Sequence, residues 1–256
     1  MIVKGAYEVF CWCCVLGVPF SHEFFGWTGL FVHTIIICGL SIYIDWCISP
    51  TFQTNMHRLS KHGFNTSAIF AVMAGNLIAT NVLVVFVKEQ YCPGVLLSPL
   101  SVDRLRIVGI VLVNMALAEI AFTLSHMLLH RTHQGARWHL MHHCCRPSSW
   151  STNLIFHPID MAIEFSGPVI VLLLSHIFVF RNPTALLTSV QVLHLWYAID
   201  HSENLKLPHY THHMRIDAMY SIYIKTRNIH PEKDRVKLLL RSLNGNRSEL
   251  LTMHTK

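Results

Sequence analysis

The sequence predicts an all-α integral membrane protein with about three long transmembrane helices, a shorter helical hairpin and a cytosolic helical cap rich in histidine. Hydrophobic residues make up 52% of the 256 residues and charged residues only 13%, against about 25% charged in a typical soluble domain. A soluble fold of this size could not bury so much apolar side chain. We expect a single domain, 1–256, with N-terminal spans (1–125), a histidine-rich region (126–213) and a basic tail (214–256).

Three apolar stretches predict the long transmembrane helices. Residues 26–44 and 66–87 contain no Asp, Glu, Lys or Arg, and residues 107–125 contain a single acid, Glu119. Each stretch has about the 20 residues that a helix needs to cross a bilayer. The apolar segment that precedes residue 26 lacks a small-residue cleavage site, so we expect it to remain in the mature chain.

Two shorter apolar stretches, residues 161–180 and 184–199, predict the hairpin. Arg181-Asn182-Pro183 separates them, so the chain is expected to enter the membrane and return to the same side. Lys and Arg are concentrated in the C-terminal tail, which the positive-inside rule places in the cytosol. Counting spans back from the tail places the histidine-rich region in the cytosol and the N-terminus on the opposite side of the membrane. Because the basic tail follows membrane spans, we do not interpret it as a nucleic-acid-binding segment.

Histidine is the unusual feature of the composition. The chain has 19 His against 14 Asp and Glu together, and 13 of the 19 lie between His126 and His213. Three clusters have helical spacing: HMLLH at 126–130, HLMHH at 139–143 and HYTHH at 209–213. Positions three or four apart share one face of a helix, so the imidazoles of one cluster can converge on a metal ion.

The three clusters contain eight imidazoles. One metal ion takes about four to six ligands, so this number predicts two ions or a shared pair. A structural zinc site would favour cysteine, and the chain has no pair of CxxC motifs. The Glu-x-x-His motif of soluble di-iron bundles is also missing. Imidazole suits zinc, copper, iron and nickel alike, so the ligand type leaves the metal open.

The order of these motifs resembles the fatty acid hydroxylase / sterol desaturase superfamily, which consists of membrane enzymes with histidine boxes. The likeness runs from about Phe122 to His213 as HxxxH, HxxHH, a hairpin, a DHS element and HxxHH. Trp138 before the second box and the pair His157-Pro158 after it also fit the family. The chain departs from the family after DHS, where it reads HSENLKLP without Gly-Tyr, and after HYTHH, so the substrate subfamily stays open.

The resemblance implies an endoplasmic reticulum membrane enzyme with two iron ions, multi-pass and with a cytosolic C-terminus. Such enzymes use O2 and two electrons, usually from NAD(P)H through cytochrome b5 and its reductase, to hydroxylate a sterol, sphingoid or fatty acyl lipid. Desaturation is the alternative outcome, and purified samples can hold zinc. Carried over position by position, the family's metal ligands are His126, His130, His139, His142, His143, His201, His209, His212 and His213.

Further residues are candidates for roles around the ligands. His194 lies seven residues before His201 on the same helical face, and His157 is placed to start a helix; each is a candidate ligand or a hydrogen-bond partner behind one. Metal-bound imidazoles usually donate their second N–H to a carboxylate, which makes Asp200 the main candidate to orient His201, with Asp160 and Asp217 as weaker ones.

The remaining candidates concern the substrate. An acid within a span, such as Glu119, is a functional candidate by default, and it could line a substrate tunnel together with Trp196 and Tyr197. Glu164, near the start of the hairpin, is expected at the membrane interface. No catalytic residue is predicted beyond the metal ligands.

Three other functions compete with that of a lipid oxygenase. A membrane b-type cytochrome needs histidines paired across facing spans at membrane depth, whereas these clusters lie at span ends. A metal transporter should place polar ligands in mid-membrane within several spans, where His33 and His176 are isolated. A catalytically inactive, metal-binding family member is the third alternative.

Overall fold

The computed structural model describes residues 2–95, 104–146, 148–202, 205, 207–215 and 234–245. These residues form helices and connecting turns, without a β-strand among them, so the predicted all-α class is confirmed. The helices are α1 (Ile2–Val32), α2 (Gly39–Ile48), α3 (Pro50–Lys61), α4 (Thr66–Tyr91), α5 (Arg104–Arg131), α6 (His133–His143), α7 (Pro158–Met161), α8 (Gly167–Ser175), α9 (Pro183–Ile199), α10 (Pro208–Met214) and α11 (Arg235–Gly245). Wider π-helical turns continue several of them, at His33–Cys38, Ala162–Ser166 and His176–Phe180.

Within the described part of the chain, four helical stretches are long and apolar enough to cross a membrane. They are Tyr7–Ile48, Thr66–Tyr91, Arg104–Arg131 and Pro158–Phe180. Large apolar side chains, such as that of Phe178, point outward from these stretches. Lipid, rather than water, suits such a surface.

The first of these stretches is folded back on itself. Its 42 residues would form a helix of about 63 Å, twice the thickness of a bilayer core. The chain reverses instead at Gly26, whose φ of 60° lies in the region that glycine adopts without strain. The hydroxyl of Tyr7 donates to the carbonyl of Ser41 at 2.6 Å, which shows that the two arms run antiparallel.

This reversal moves the N-terminal arm to the end of the bundle that carries the histidines. The hydroxyl of Ser202, next to His201, donates to the carboxylate of Glu8 at 2.8 Å. The prediction that the N-terminus lies on the side opposite the histidine-rich region is therefore wrong. It counted one span before residue 45, whereas the segment before Gly26 forms a second arm.

The stretch Pro158–Phe180 and α9 form a second helical hairpin, at the place where the sequence predicts one. Arg181, with a φ of 45°, ends the first arm, and the side chain of Asn182 caps the N-terminus of α9 by accepting from the amide of Ala185 at 2.9 Å. The first arm is longer than expected, because the helical stretch Pro158–Phe180 has 23 residues and could cross a membrane alone. Apolar side chains of α8 and α9 pack against α4 and α5.

The short helices α6, α10 and α11 gather at one end of this bundle. α6 follows α5 after Thr132, whose hydroxyl accepts from the amide of Gly135 and caps the new helix. Although α11 belongs to the predicted basic tail, its residues Val236 and Leu240 are buried against α6. The tail therefore contributes packing to the histidine-bearing end of the fold.

Candidate metal centre

The nine histidines predicted as ligands lie together in the interior. They come from the last turns of α5, from α6, from the turn after α9 and from α10, and every one is at most 1% exposed. The ring nitrogens of eight of them form two adjoining groups, each of which could hold a metal ion. The first histidine group consists of His126, His130, His143 and His212, and the second of His142, His201, His209 and His213.

The Nε2 atom of His130 is the centre of the first group. It lies 3.0 Å from the Nε2 of His126, 3.0 Å from that of His143 and 3.1 Å from that of His212. The Nε2 of His139 lies 3.1 Å from that of His126, so a fifth imidazole adjoins this group.

The second group has the same kind of geometry. The Nε2 of His201 lies 3.3 Å from that of His142 and 3.1 Å from that of His213. The Nε2 of His213 is in turn 3.3 Å from that of His209. The ring of His142 is stacked on Phe156 with centroids 3.8 Å apart, which fixes its plane.

Hydrogen bonds between imidazoles cannot account for these contacts. An Nε2 atom carries either one hydrogen or one lone pair, so the Nε2 of His130 can form one hydrogen bond and not three. Ligand nitrogens about 2.0–2.1 Å from one ion are separated from each other by about 3–3.4 Å, which is the spacing observed. The two groups therefore have the geometry of ligands around metal ions.

Carboxylates stand behind several of the imidazoles. Both oxygens of Asp234 lie 3.0 Å from the Nδ1 of His130, and Asp160 lies 2.9 Å from the Nδ1 of His139. Asp200, predicted to orient His201, contacts the Nδ1 of that residue. A carboxylate at Nδ1 fixes the hydrogen there, which leaves the lone pair of Nε2 for a metal ion.

Glu164 is a fourth acid at the centre. It is 2% exposed, and its Oε1 lies 3.3 Å from the Nδ1 of His126 and 3.8 Å from that of His139. The sequence predicts a position at the membrane interface for this acid. The π-helical turn Ala162–Ser166 brings it to the histidines, a contact that the sequence does not predict.

Several imidazoles of the centre are uncharged at neutral pH. Burial, together with the neighbouring imidazoles, holds the pKa of His142, His143, His209 and His213 well below the usual range. Neutral imidazole is the form that ligates metals. The environment therefore prepares these side chains for metal binding.

Next to the centre lies a mainly apolar cavity between α4, α9 and the segment after α7. Its wall includes Thr80, Trp150, Glu164, Phe165, His194 and Tyr197. Glu164 also lies behind His126, so the cavity adjoins the histidine groups at this acid. The hydroxyl of Tyr197 donates to the backbone carbonyl of Glu164 at 2.8 Å and holds this part of the wall in place.

The secondary candidates divide between the cavity and other places. His194 is buried, lines the cavity and belongs to neither histidine group. His157 is also outside both groups: it caps α7 by accepting from the amide of Ile159 and stacks on Trp138.

Of the three tunnel candidates, Tyr197 lines the cavity, whereas Glu119 and Trp196 do not. Successive side chains on a helix point about 100° apart, which turns Trp196 away from the wall that its neighbour forms. Glu119 is buried in α5 seven residues before His126, a rise of about 10 Å. Asp217 lies outside the described residues.

Comparisons with protein-family models, with curated proteins and with solved structures find no match. Membership of the fatty acid hydroxylase / sterol desaturase superfamily therefore stays a prediction based on the order of the histidine motifs. The function has to be inferred from the geometry of this chain alone.

Proposed function

We propose that this protein is a membrane-bound, non-haem di-iron oxygenase that uses O2 to hydroxylate a lipid. One observation carries the proposal: eight buried imidazoles converge into two adjoining groups with His139 beside the first, and an apolar cavity adjoins them at Glu164. A protein that merely stored a metal would need the imidazoles but not the cavity.

The donor set fits a pair of metal ions. All nine donors are imidazole nitrogens, and such a set suits iron as well as zinc. A cavity wall of apolar side chains suits a lipid. Two iron ions bound here would supply the activation of O2 that insertion of oxygen into a C–H bond requires.

The residues of the chain would hold, orient and protect this centre. Asp160, Asp200 and Asp234 hold the Nδ1–H groups of three imidazoles and so set the direction of their Nε2 lone pairs. Complete burial of the ligands excludes bulk water, which prevents side reactions. The cavity wall would place the lipid chain beside His126.

The electron source is part of the proposal. Electrons from NAD(P)H would arrive through cytochrome b5 and its reductase in the endoplasmic reticulum membrane. The exposed Arg235 donates to the carbonyl of the half-buried Arg131 at 3.0 Å, which places two cations close to the buried pair formed by Asp234 and His130. Such a surface is complementary in charge to an acidic electron carrier.

Elemental analysis of the full-length protein, purified in detergent, tests the metal centre. The wild type is expected to hold about two metal ions per chain, and His212→Ala combined with His213→Ala, one ligand from each group, is expected to lose both. His157→Ala is the matched control, since His157 lies outside both groups. Metal content that the double variant retains would contradict the proposal.

Lipid profiling tests the reaction. Cells that express the wild type should accumulate hydroxylated lipids that the double variant does not produce. Two bound metals without a new oxidised lipid would leave a metal-binding protein that is not an oxygenase. New double bonds without hydroxyl groups would identify a desaturase.

A further inference from the structure

A groove on the side of the bundle lies between α4 and the first turns of the stretch Pro158–Phe180. Its floor is buried and includes Asn76, Thr80 and Phe165, whereas Gly75 belongs to its exposed rim. A Cβ added at Gly75 meets nothing within 4 Å, so the groove is open at this point. Both elements are long and apolar enough to cross a membrane, so lipid chains are the molecules that such a groove meets.

The buried polar side chains of the groove are already hydrogen-bonded. The amide of Asn76 donates to the carbonyls of Leu154 and Phe156 at 2.9 and 3.0 Å, and the hydroxyl of Thr80 donates to carbonyls of its own helix at 3.0 Å. These two side chains therefore have no hydrogen left to donate to a ligand. A groove of this kind suits a hydrocarbon chain better than a polar headgroup.

The groove adjoins the cavity beside the metal centre, which we call the inner cavity. The two spaces share Thr80, Met161 and Phe165, and the inner cavity continues to Trp150 and His194. His194 is 7% exposed, and its Nδ1 has no hydrogen-bond partner among the described residues. Buried polar atoms are usually paired, so this imidazole indicates that the inner cavity takes a ligand.

The two spaces differ in size. The groove has a volume of about 470 Å³, within the range of about 300–1,000 Å³ that is usual for small-molecule sites, whereas the inner cavity has about 50 Å³. A hydrocarbon chain therefore fits the groove as it stands. It can enter the inner cavity only if one of the three shared side chains moves.

Met161 is the shared side chain that is best able to move. The ring of Phe165 is buried and packs against His194 and Tyr197, with centroids 5.7 and 5.4 Å apart. The hydroxyl of Thr80 is bonded to its own helix. Met161 is half-buried, and the three rotatable bonds of a methionine let it adapt its shape to a neighbour.

We propose that the groove takes up the hydrocarbon chain of a membrane lipid and that Met161 is the gate through which this chain enters the inner cavity. Displacement of Met161 joins the two spaces, while Phe165 remains as the fixed wall between them. The inference rests on the proposed function in treating the lipid that reaches the inner cavity as the substrate.

Trp150 can report the arrival of a chain, because it belongs to the wall of the inner cavity and not to that of the groove. The probe is hexadecyl bromide, whose bromine quenches indole fluorescence at close contact. The full-length protein in phosphatidylcholine vesicles is mixed with the probe, and the signal of Trp150 is the difference between the wild type and Trp150→Phe. We expect Trp150 to be quenched in a time-dependent manner. Absence of this quenching would overturn the proposal.

Substitutions of Met161 in two directions test the gate. Met161→Phe should slow the quenching of Trp150 roughly tenfold and Met161→Ala should accelerate it, since a bulkier and stiffer side chain resists displacement. Opposite changes at one position cannot come from a shared folding defect. Met127→Phe is the matched control, because Met127 is an exposed residue of α5 that lines neither space. Equal rates in the wild type and both Met161 variants would overturn the gate.

Gly75→Leu tests the groove as the route of entry. It should slow the quenching of Trp150, although Gly75 does not line the inner cavity. Gly109→Leu is the matched control, because a Cβ at Gly109 also meets nothing within 4 Å and this residue of α5 lines neither space. Quenching as fast in Gly75→Leu as in the wild type would show that the chain enters elsewhere, and would overturn the proposal.

These outcomes are separable from those of the proposed function, because quenching requires neither a metal ion nor O2. Gated entry of the probe into a protein that forms no oxidised lipid would refute the oxygenase and not the gate. Oxidised lipid from an enzyme in which neither Met161 nor Gly75 affects quenching would refute the gate and not the oxygenase.

Discussion

The two histidine groups differ in the acids that support their imidazoles. In the first group and the imidazole that adjoins it, acids from two separate segments lie against Nδ1 atoms: Asp160 and Glu164 from the stretch Pro158–Phe180, and Asp234 directly before α11. In the second group, the acid is Asp200, the immediate neighbour of His201. Among the described residues, the Nδ1 atoms of the other three imidazoles of that group have no hydrogen-bond partner, and in the first group the same holds for His143.

This asymmetry implies that the chain would hold two ions unequally. A carboxylate behind an imidazole fixes its tautomer and makes it a more basic ligand. The second group is oriented mainly by packing, as in the contact of Phe122 with His209 at a centroid distance of 5.4 Å. We therefore expect the first group to bind its ion more tightly and the second group to release its ion first.

Acidification should give the largest effect. His143 of the first group and His142, His209 and His213 of the second have lowered pKa values when folded, so only the unfolded chain protonates them as the pH falls below about 6.5. The free energy of unfolding of the metal-free protein should then fall by up to about 1.4 kcal/mol per pH unit for each imidazole. Above that pH, these groups should make no pH-dependent contribution. Chemical denaturation from pH 8 to pH 5 measures the slope.

The same titration, followed by metal content, tests whether the groups are distinct sites. Dialysis at stepwise lower pH should first remove one ion and then the other. His209→Ala, which takes one ligand from the second group, should eliminate the first step and keep the second. Loss of both ions in one step from the wild type would show that the groups behave as one centre.

Local spacing was enough to predict that the histidines converge, and it was not enough to predict their surroundings. Intervals of three and four residues place imidazoles on one helical face, and Asp200 adjoins its partner in the chain. Asp234 is 104 residues from His130, and their contact depends on the packing of α11 against α6. A lone Asp within a basic stretch carries no local sign of such a partner.

The N-terminal hairpin shows the same limit. The hydrophobicity of an apolar stretch does not show whether the helix continues or turns back. In this sequence the reversal is marked only by Gly26, which lies between aromatic residues. The positive φ at that glycine decides whether the run is one span or two arms. The antiparallel pairing of the arms comes from tertiary contacts, such as that of His33 with the carbonyl of Cys14 at 2.7 Å.

Removal of one acid should give the next largest effect. Asp234→Asn replaces the carboxylate behind His130 with a neutral amide, which should weaken binding of the first-group ion by roughly 10- to 100-fold. Chelator competition at neutral pH measures the affinity of each ion in turn. Asp200→Asn is the matched variant, and it should weaken the second-group ion and leave the first unaffected. A uniform loss of both ions in either variant would contradict independent sites.

The smallest effect should come from the connection between the N-terminal arm and the second group. Ser202 donates to Glu8 and accepts from the amide of Leu205 at 3.2 Å, and so steadies the turn that carries His201. Ser202→Ala should lower the free energy of unfolding by about 1 kcal/mol, which chemical denaturation at neutral pH measures. It should also loosen the second-group ion severalfold, by less than Asp200→Asn does.

The control for this substitution lies beside the first group. The hydroxyl of Ser125 bonds to the carbonyl of Phe122 within its own helix, at 2.9 Å. Ser125→Ala should therefore leave both ions in place, because helix geometry already fixes the backbone around it. If Ser202→Ala loosened the first-group ion as much as the second, the N-terminal arm would support the centre as a whole. The difference in support between the two histidine groups would then come from the acids alone.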